Sequence, residues 1–522
     1  MRTLFFLLFL TGLLLPQSHG TYPAWSPVTQ IPLSRTDASA GGGVPNTVVT
    51  LPGGKIIVFY SEQTPFPGGV PRPFFTGSSD YGITWTSPSS QAVVPVWKTS
   101  AVAGSIGAVS LPSGSVAVSW ASTNPQAIYF ALYDPLNDSW SDTIRVSKFV
   151  LRSTGYQFIT ADKKGRIHLV WTDGRIEPGS VQEVYYSRST DLGLTWSNQI
   201  MLSNNDGRHS SFPCGNLSAS SSDTLMFAWR DSTSSPRNWD VEIAVSNDGG
   251  LTWLTPRKLT TSPLMQSDPQ VVADKHGGFN IIFHEYSTNC TGGLCASVYY
   301  GYSADGGNSW GNGFTVISPE GIRSHLCKSA YDSVNDRFWA FWKDERDFNF
   351  TNGNPEADIV GRYFENQGTL VSDTVEFISD MGEMEVAFHN FAPFPDGSIA
   401  AIWYSDYSQT ISPRKMYFSR RAVTTAIDTR EISRSTHGAS LSNHPNPFNP
   451  TTLIEFELVE NSQTVVTVYD ITGRKITEIT NDYLIAGKHQ FLFDARDLPT
   501  GVYLCEVTTP EFRSYGKMVF IK

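Results

Sequence analysis

From Asn46 to Arg421 apolar and polar positions alternate with period two in short runs, and turn residues interrupt them every few positions. The stretch "FITADKKGRIHLVWTDGR…EVYYSRSTDLGLTW", Phe158 to Trp196, has the same grammar as "QVVADKHGGFNIIFHEYS…SVYYGYSADGGNSW", Gln270 to Trp310. Runs of β-branched and aromatic residues alternating in this way predict strands. Each unit reads as an apolar run, a Gly or Asp turn, a second run closing on an aromatic, a loop, a third alternating run and an octet. With the segment after the octet, each unit supplies four antiparallel strands.

The octets are "SSDYGITW" at Ser78–Trp85, "STDLGLTW" at Ser189–Trp196, "SNDGGLTW" at Ser246–Trp253 and "SADGGNSW" at Ser303–Trp310, with a degenerate copy, "YDPLNDSW", ending at Trp140. Their tryptophans recur at roughly 55–57 residues, the signature of a repeat architecture. Four-stranded units repeated at constant spacing predict an all-β propeller. First strands are expected near Asn46, Ile106, Tyr156, Phe212, Asp268, Leu326 and His389, giving seven blades, with six as the alternative. The last unit holds only three strands. "AWSPVTQIPLS" resembles "TWSNQIMLS", so Trp25 to Ser34 is expected to supply the missing outer strand and close the ring. In the octets, Asp80, Asp191, Asp248 and Asp305 suit tight turns that accept backbone N–H groups, and Trp85, Trp196, Trp253 and Trp310 suit the space between sheets.

Composition narrows the function. A net charge of -11 over 522 residues argues against a nucleic-acid partner. Residues 1–20 have the Arg2 start, the apolar Leu4–Leu15 stretch and the small Ser18 and Gly20 of a signal peptide, and no later run suits a membrane helix. Among five cysteines, Cys290 and Cys295 flank "TGGL" and form a candidate loop disulfide for an exported protein. No His/Cys cluster indicates zinc. No cofactor or metal is expected, and a structural calcium at exposed carboxylates stays an open alternative.

The octets resemble the Asp-box repeat of the sialidase superfamily, and the resemblance covers roughly residues 21–425. It implies a propeller whose boxes are structural and lie on the face opposite the ligand. It also implies an Arg-Ile-Pro motif with a clamp arginine, an aspartate acid/base and a nucleophilic tyrosine. Here "GGVPNTVVTLPGG" keeps Pro45 and Leu51-Pro52-Gly53 but has Gly43 at the arginine position, and the next loop has no matching aspartate. Ordinary sialidase activity is therefore not expected, and Tyr404 is only a candidate nucleophile.

Ligands of propellers bind at the mouth of the channel. The mouth should gather residues from the starts of first strands, among them His209, Asp268, Arg323, His325 and His389. Residues following second strands should join them: Glu62, Asp173, Arg175, Asp231, Glu285, Asp344, Arg346 and Asp406. Asp268 with Asp344, or Asp173 with Asp231, could act as paired carboxylates. The recurrence of "WTDGR" and "WKDER" favours loop-bracing ion pairs for Asp173/Arg175 and Asp344/Arg346. Trp171, Trp229, Trp342 and Trp403 read as core. The leading expectation is a propeller that engages a glycan or other extracellular polymer at its mouth. The rivals are a glycoside hydrolase or lyase with a rearranged site and a non-catalytic adhesion module.

Residues 424–442 are polar and aperiodic, a linker between the propeller at 21–423 and a second β pattern at 443–522. Turns such as "ITGR" and "LPTGVY" there predict a small seven-stranded sandwich. Asn446–Thr452, Tyr469–Arg474, Gly501–Tyr503 and Lys517–Val519 are similar to the C-terminal sorting domain of the type IX secretion system. That resemblance implies export from a Gram-negative bacterium, with the cargo released or attached to the cell surface and the secretion machinery as a partner of residues 443–522.

Overall fold

The computed structural model describes residues 25–522 apart from 35–38, 42–46, 64–71, 87–101, 124–125, 149–156, 177–180, 220–222, 233–237, 288–294, 312, 347–356, 366, 371–374, 380–384, 406–413, 423–440, 459–460, 471–473 and 510–512. The expected signal peptide, Gly43, Cys290 and nearly all of the expected linker lie outside the described residues. The chain divides into two compact units, Met1–Val423 and Thr424–Lys522.

Described strands of the first unit form seven antiparallel sheets, taken here in the order of their first strands: Val48–Leu51, Val102–Ser110, Gln157–Ala161, Ser210–Ala219, Gln266–Ala273, Ser324–Asp332 and Glu385–Pro393. Within each sheet the first, second and third main strands, consecutive in sequence, pair side by side. The fifth sheet runs Gln266–Ala273, Phe279–Ser287, Cys295–Ser303 and Thr315–Val316. The seven first strands touch one another in chain order, and the seventh returns to the first. That closed ring of radial sheets is a β-propeller. Its apolar cores lie between neighbouring sheets, and Trp171, Trp229, Trp342 and Trp403 are fully buried in them.

The ring closes with the N-terminal segment. Thr29, Gln30 and Ile31 pair with Phe418, Tyr417 and Met416, making Thr29–Ile31 the outer strand of the seventh sheet. Trp25 bridges to Arg421, and its indole N–H donates to Glu376 Oε2 at 2.9 Å. Arg421 grips the same carboxylate with two bonds of 2.9 and 3.0 Å. A bidentate pair of this kind fixes geometry as well as adding energy.

The octets fasten each sheet to the one before. Asp80 Oδ1 accepts from the Ser78 hydroxyl at 2.7 Å and the Thr84 N–H at 2.9 Å, while Oδ2 accepts from the Thr84 hydroxyl at 2.6 Å. The same N–H bond recurs at Asp191, Asp248 and Asp305, at 2.9, 2.9 and 2.8 Å. The Thr84 hydroxyl and N–H, with Ser78, hold the Asp80 carboxyl down to about 2. The fifth octet residue has positive φ, and a side chain on Gly82, Gly193 or Gly250 would strike Phe418, Phe130 or Tyr186 of the preceding sheet. Trp85, Trp196 and Trp253 meet those same rings edge-on, with centroids 5.2, 5.2 and 4.9 Å apart.

At the other end of the sheets, first strands start and second strands finish. There the pairing slips between Ser267 and Gln270, between His325 and Lys328, and between Val386 and His389. Such bulges re-aim side chains at sheet ends. Two residues inside them, Asp268 and Leu326, sit in the left-handed region at φ 53° and 57°, where a side chain costs about 1 kcal/mol or more.

The second unit is a seven-stranded sandwich. Three strands, Ser442–His444, Thr451–Leu458 and Gly487–Asp494, make one sheet, and four make the other, in the order Lys475–Leu484, Ser462–Asp470, Gly501–Thr508, Arg513–Phe520. Phe448, Phe456, Val468, Phe493, Cys505 and Met518 share its core. Asn446 is bonded to the last strand in both directions, donating to Lys517 O and accepting from Val519 N, each at 2.8 Å.

Candidate functional site

Three second strands end in parallel sequences: Trp229-Arg230-Asp231, Phe283-His284-Glu285 and Trp342-Lys343-Asp344. Strand alternation sends the middle residue to one side of its sheet and its neighbours to the other. The middle residues stand opposite Ser211, Ser267 and His325 on the first strands. Arg230 and His284 reach toward the following sheet, and a polar chain results. The Arg230 guanidinium lies over Trp239 at 4.5 Å and donates to Ser267 Oγ at 3.2 Å, across to the fifth sheet. His284 Nδ1 is 3.2 Å from Asp268 Oδ2. The His284 ring is T-shaped to Tyr286 at 4.8 Å and to His325 of the sixth sheet at 6.0 Å. His325 Nε2 meets Glu345 Oε1 at 2.8 Å, and Glu345 also takes Lys343 at 3.1 Å and Arg323 at 3.2 Å.

The electrostatics follow from this crowding. Burial drives His284 down to about 4; Asp268 opposes the shift, while His325, Arg230 and Arg323 reinforce it. Burial also lowers His325 against the pull of Glu345. For Glu345 burial alone would raise the carboxyl, but the His325 bond, Lys343 and Arg323 outweigh it and hold it at about 2. The cluster at neutral pH is therefore two neutral imidazoles among fixed ionic groups.

A second polar group lies between the third and fourth sheets. Glu183 accepts from Ser203 Oγ at 2.5 Å, Glu242 from Asn204 Nδ2 at 3.0 Å and Asp231 from Ser210 Oγ at 2.8 Å. All three carboxylates are buried, and Glu183 Oε1 and Glu242 Oε2 meet no donor. Burial, with Asp206 and Asp231, pushes both glutamates up to about 7. Among the described residues, no three His, Cys, Asp or Glu side chains could hold a metal ion.

The structure brings Asp268, Arg323 and His325 together and separates the other expected site residues from them. His209 is exposed on the third-to-fourth sheet loop, where Nδ1 accepts the Gln182 N–H at 3.2 Å. Asp173 is fully buried, and the side chain of Arg175 lies outside the described residues. Asp344 is fully buried and held by Arg346 through bonds of 2.9 and 2.8 Å, while Arg346 lies over Phe377. That pair braces its loop, so Asp344 is not available to work with Asp268 as a paired carboxylate. Glu285 accepts from Gln266 Nε2 at 2.5 Å within its own sheet. His389 is buried with both ring nitrogens unpartnered, and burial, with Lys328, His325 and Lys343, keeps it neutral. Tyr404 corrects the expectation of a nucleophile: it is buried in the core between the first and seventh sheets, its hydroxyl meets no partner, and burial raises its pKa. Cys295 is disulfide-bonded, while Cys327 and Cys505 are free thiols.

Arg230, His284, Lys343 and Glu345 were not singled out from the sequence. The signal was present in the recurring aromatic that closes each second strand, since the residue just after it is the one that reaches the next sheet.

Residues 442–522 match the secretion system C-terminal sorting domain family. No curated protein matches the chain. Among solved structures, a Dyadobacter fermentans protein of unknown function is similar at 12% identity and TM-score 0.44, over 76% of this chain and 99% of its own. A family PL25 ulvan lyase is similar at 13% identity and TM-score 0.48, over 73% and 94%. NanB sialidase from Streptococcus pneumoniae is similar at 14% identity and TM-score 0.41, over 75% and 70%. At these scores they carry no argument, and the sheet order alone defines the fold. The first unit is thus a β-propeller, and the second carries the match to the sorting-domain family. That domain marks the protein for export to the surface of a Gram-negative cell or beyond it. No helix among the described residues is long and apolar enough to cross a membrane.

Proposed function

We propose that the exported protein engages an extracellular glycan at the mouth of its propeller, on the rim formed by the fourth, fifth and sixth sheets. One observation carries the reading: Arg230, Ser267, Asp268, His284, His325 and Arg323 converge from three successive sheets at the end opposite the octets. The octet turns repeat because they serve the scaffold, whereas among the described residues this cluster occurs once. A single constellation on a repetitive frame is what a binding site requires.

Binding is favoured over glycoside hydrolysis by the state of the carboxyls. A hydrolase needs an acid that still holds its proton near neutral pH. Glu345 is held at about 2, and Asp344 is fully buried against Arg346. The two glutamates near 7 are buried between the third and fourth sheets, away from Asp268, His284 and His325 on the fifth and sixth.

A glycan array probed with the mature full-length chain tests the proposal. Arg323→Ala should abolish the wild-type hits, and Leu136→Ser, at an exposed turn on the octet face, should leave them intact. Hits that survive Arg323→Ala in a folded protein, or disappear with Leu136→Ser, would sink it.

A further inference from the structure

We infer that Gly487–Asp494, an open edge strand of the second unit, pairs with the same strand of a second copy of this chain, antiparallel and centred on Phe491. The inference is independent of the ligand proposed at the mouth. An edge strand presents a row of unpaired N–H and C=O groups, and proteins blunt such edges by shortening, bending or covering them. The two sheets of the sandwich have four edge strands, and three are treated in this way. Ser442–His444 is three residues long. Lys475–Leu484 slips register twice against Ser462–Asp470, which bends it. Arg513–Phe520 is covered near its end by Phe448, which donates to Val519 O at 2.9 Å and accepts from Ile521 N at 3.1 Å. Gly487–Asp494 has none of these devices. Its eight residues pair with Thr451–Leu458 without a slip, and among the described residues no backbone group is bonded to its far side.

The side chains of the strand select the partner and the register. His489, Phe491 and Phe493 turn toward the core, while Lys488, Gln490, Leu492 and Asp494 are exposed on the outer face. Leu492 is 67% exposed and stands opposite Leu453 of the neighbouring strand, so an apolar pair lies beside the open edge. Residues that face each other across two strands must share a face, so a twofold pairing is centred on a residue and not between two. Centred on Phe491, it sets Lys488 of each copy opposite Asp494 of the other, and Gln490 opposite Leu492. The two Leu492 side chains become diagonal neighbours, close enough to touch. Centred on Leu492, it would set Lys488 opposite Arg496, and centred on Gln490 it would give Lys488 and Asp494 no charged partner. Asp494 also accepts from Arg496 Nε at 2.8 Å in its own chain. That pair is exposed, and a carboxylate has lone pairs for a second cation.

Sedimentation velocity on the mature full-length protein, over a wide range of concentration, tests the inference. The chain should pass from monomer to dimer as concentration rises. Lys488→Glu sets like charges opposite each other at both ends of the pairing and should weaken the dimer about tenfold or more. Asp494→Lys should do the same. The double variant Lys488→Glu/Asp494→Lys restores both opposite-charge pairs and should dimerise like the wild type. An equal mixture of the two single variants should dimerise as well, because each supplies the charges that the other requires. Both positions are exposed, and circular dichroism of each variant checks that it still folds. A wild-type chain that stays monomeric overturns the inference. So does a dimer that survives both single variants, which places the contact elsewhere. A dimer lost in the single variants and not regained in the double variant or the mixture overturns the register and with it the inference. Species larger than the dimer overturn it too, since a twofold pairing closes on itself.

Discussion

Two edges of the mouth, one between the third and fourth sheets and one between the fifth and sixth, bury carboxyls to opposite electrostatic ends. Between the third and fourth sheets, Glu183 and Glu242 are buried beside other carboxylates, and burial with Asp206 and Asp231 raises them to about 7 even though Lys258 pulls Glu242 the other way. Between the fifth and sixth, Glu345 is as deeply buried, yet His325, Lys343 and Arg323 surround it and it falls to about 2. Burial alone does not decide the charge of a group; the partners that share its burial do. The acid edge keeps protons, and the histidine edge excludes them. Among the described residues of these two edges, the second holds Arg323, whose Nε is a buried donor without an acceptor.

The sharpest way to break this contrast is to remove the anion that organises the histidine edge. Glu345→Gln would leave Lys343 and Arg323 without their shared counterion, and losing one member of a buried charge group costs about 3–5 kcal/mol. Chemical denaturation at neutral pH should show a loss of that order. A change below about 1 kcal/mol would mean that solvent, not Glu345, balances those cations.

The pH response tests both edges at once. The glutamates of the acid edge have folded pKa values above their unfolded ones. Their contribution is fully present below pH 4.5 and is lost as pH rises through about 7. His284 is depressed, so its contribution is present above pH 6.5 and is lost as pH falls through about 4. Stability should decline on both flanks for unrelated reasons. Glu242→Gln should remove part of the alkaline loss, a gain on the order of 2 kcal/mol at pH 8 that vanishes near pH 4.5. A gain of equal size at both pH values would show that the carboxyl was never the cause.

The scaffold was legible in the sequence because it repeats. Octets at constant spacing defined the sheets, and Trp25 could be matched to the residues after other box tryptophans. The rim was only half legible, for a reason of geometry. Asp173, Asp231, Glu285 and Asp344 attract notice as charged residues after each second strand, but strand alternation puts the useful side chain one residue earlier. Choosing Glu285 over His284 is a parity error of one position. The bulges that aim Asp268 and His325 leave no mark in the hydrophobic pattern, since a bulge adds a residue without changing its chemistry. Asp344 and Arg346 were read as a brace because they echo "WTDGR", and their two-bond pairing has that form.

The smallest predicted effect concerns His209, which the sequence placed among the ligand groups and the structure places on the acid edge. Its ring is exposed, and its described bond is one accepted at Nδ1 from the Gln182 N–H. An exposed hydrogen bond of this kind contributes about 0.5–1 kcal/mol. His209→Ala should therefore lower stability by no more than that and leave glycan affinity within about twofold of wild type, the scatter expected for a surface change. Comparison with Arg230→Gln in the same titration gives the decisive contrast. Both residues lie on the mouth side of the fourth sheet, but only Arg230 points toward the fifth. If His209→Ala weakened binding as much as Arg230→Gln, the ligand would span both edges. The division between a proton-holding edge and a ligand-holding edge would then have to be abandoned.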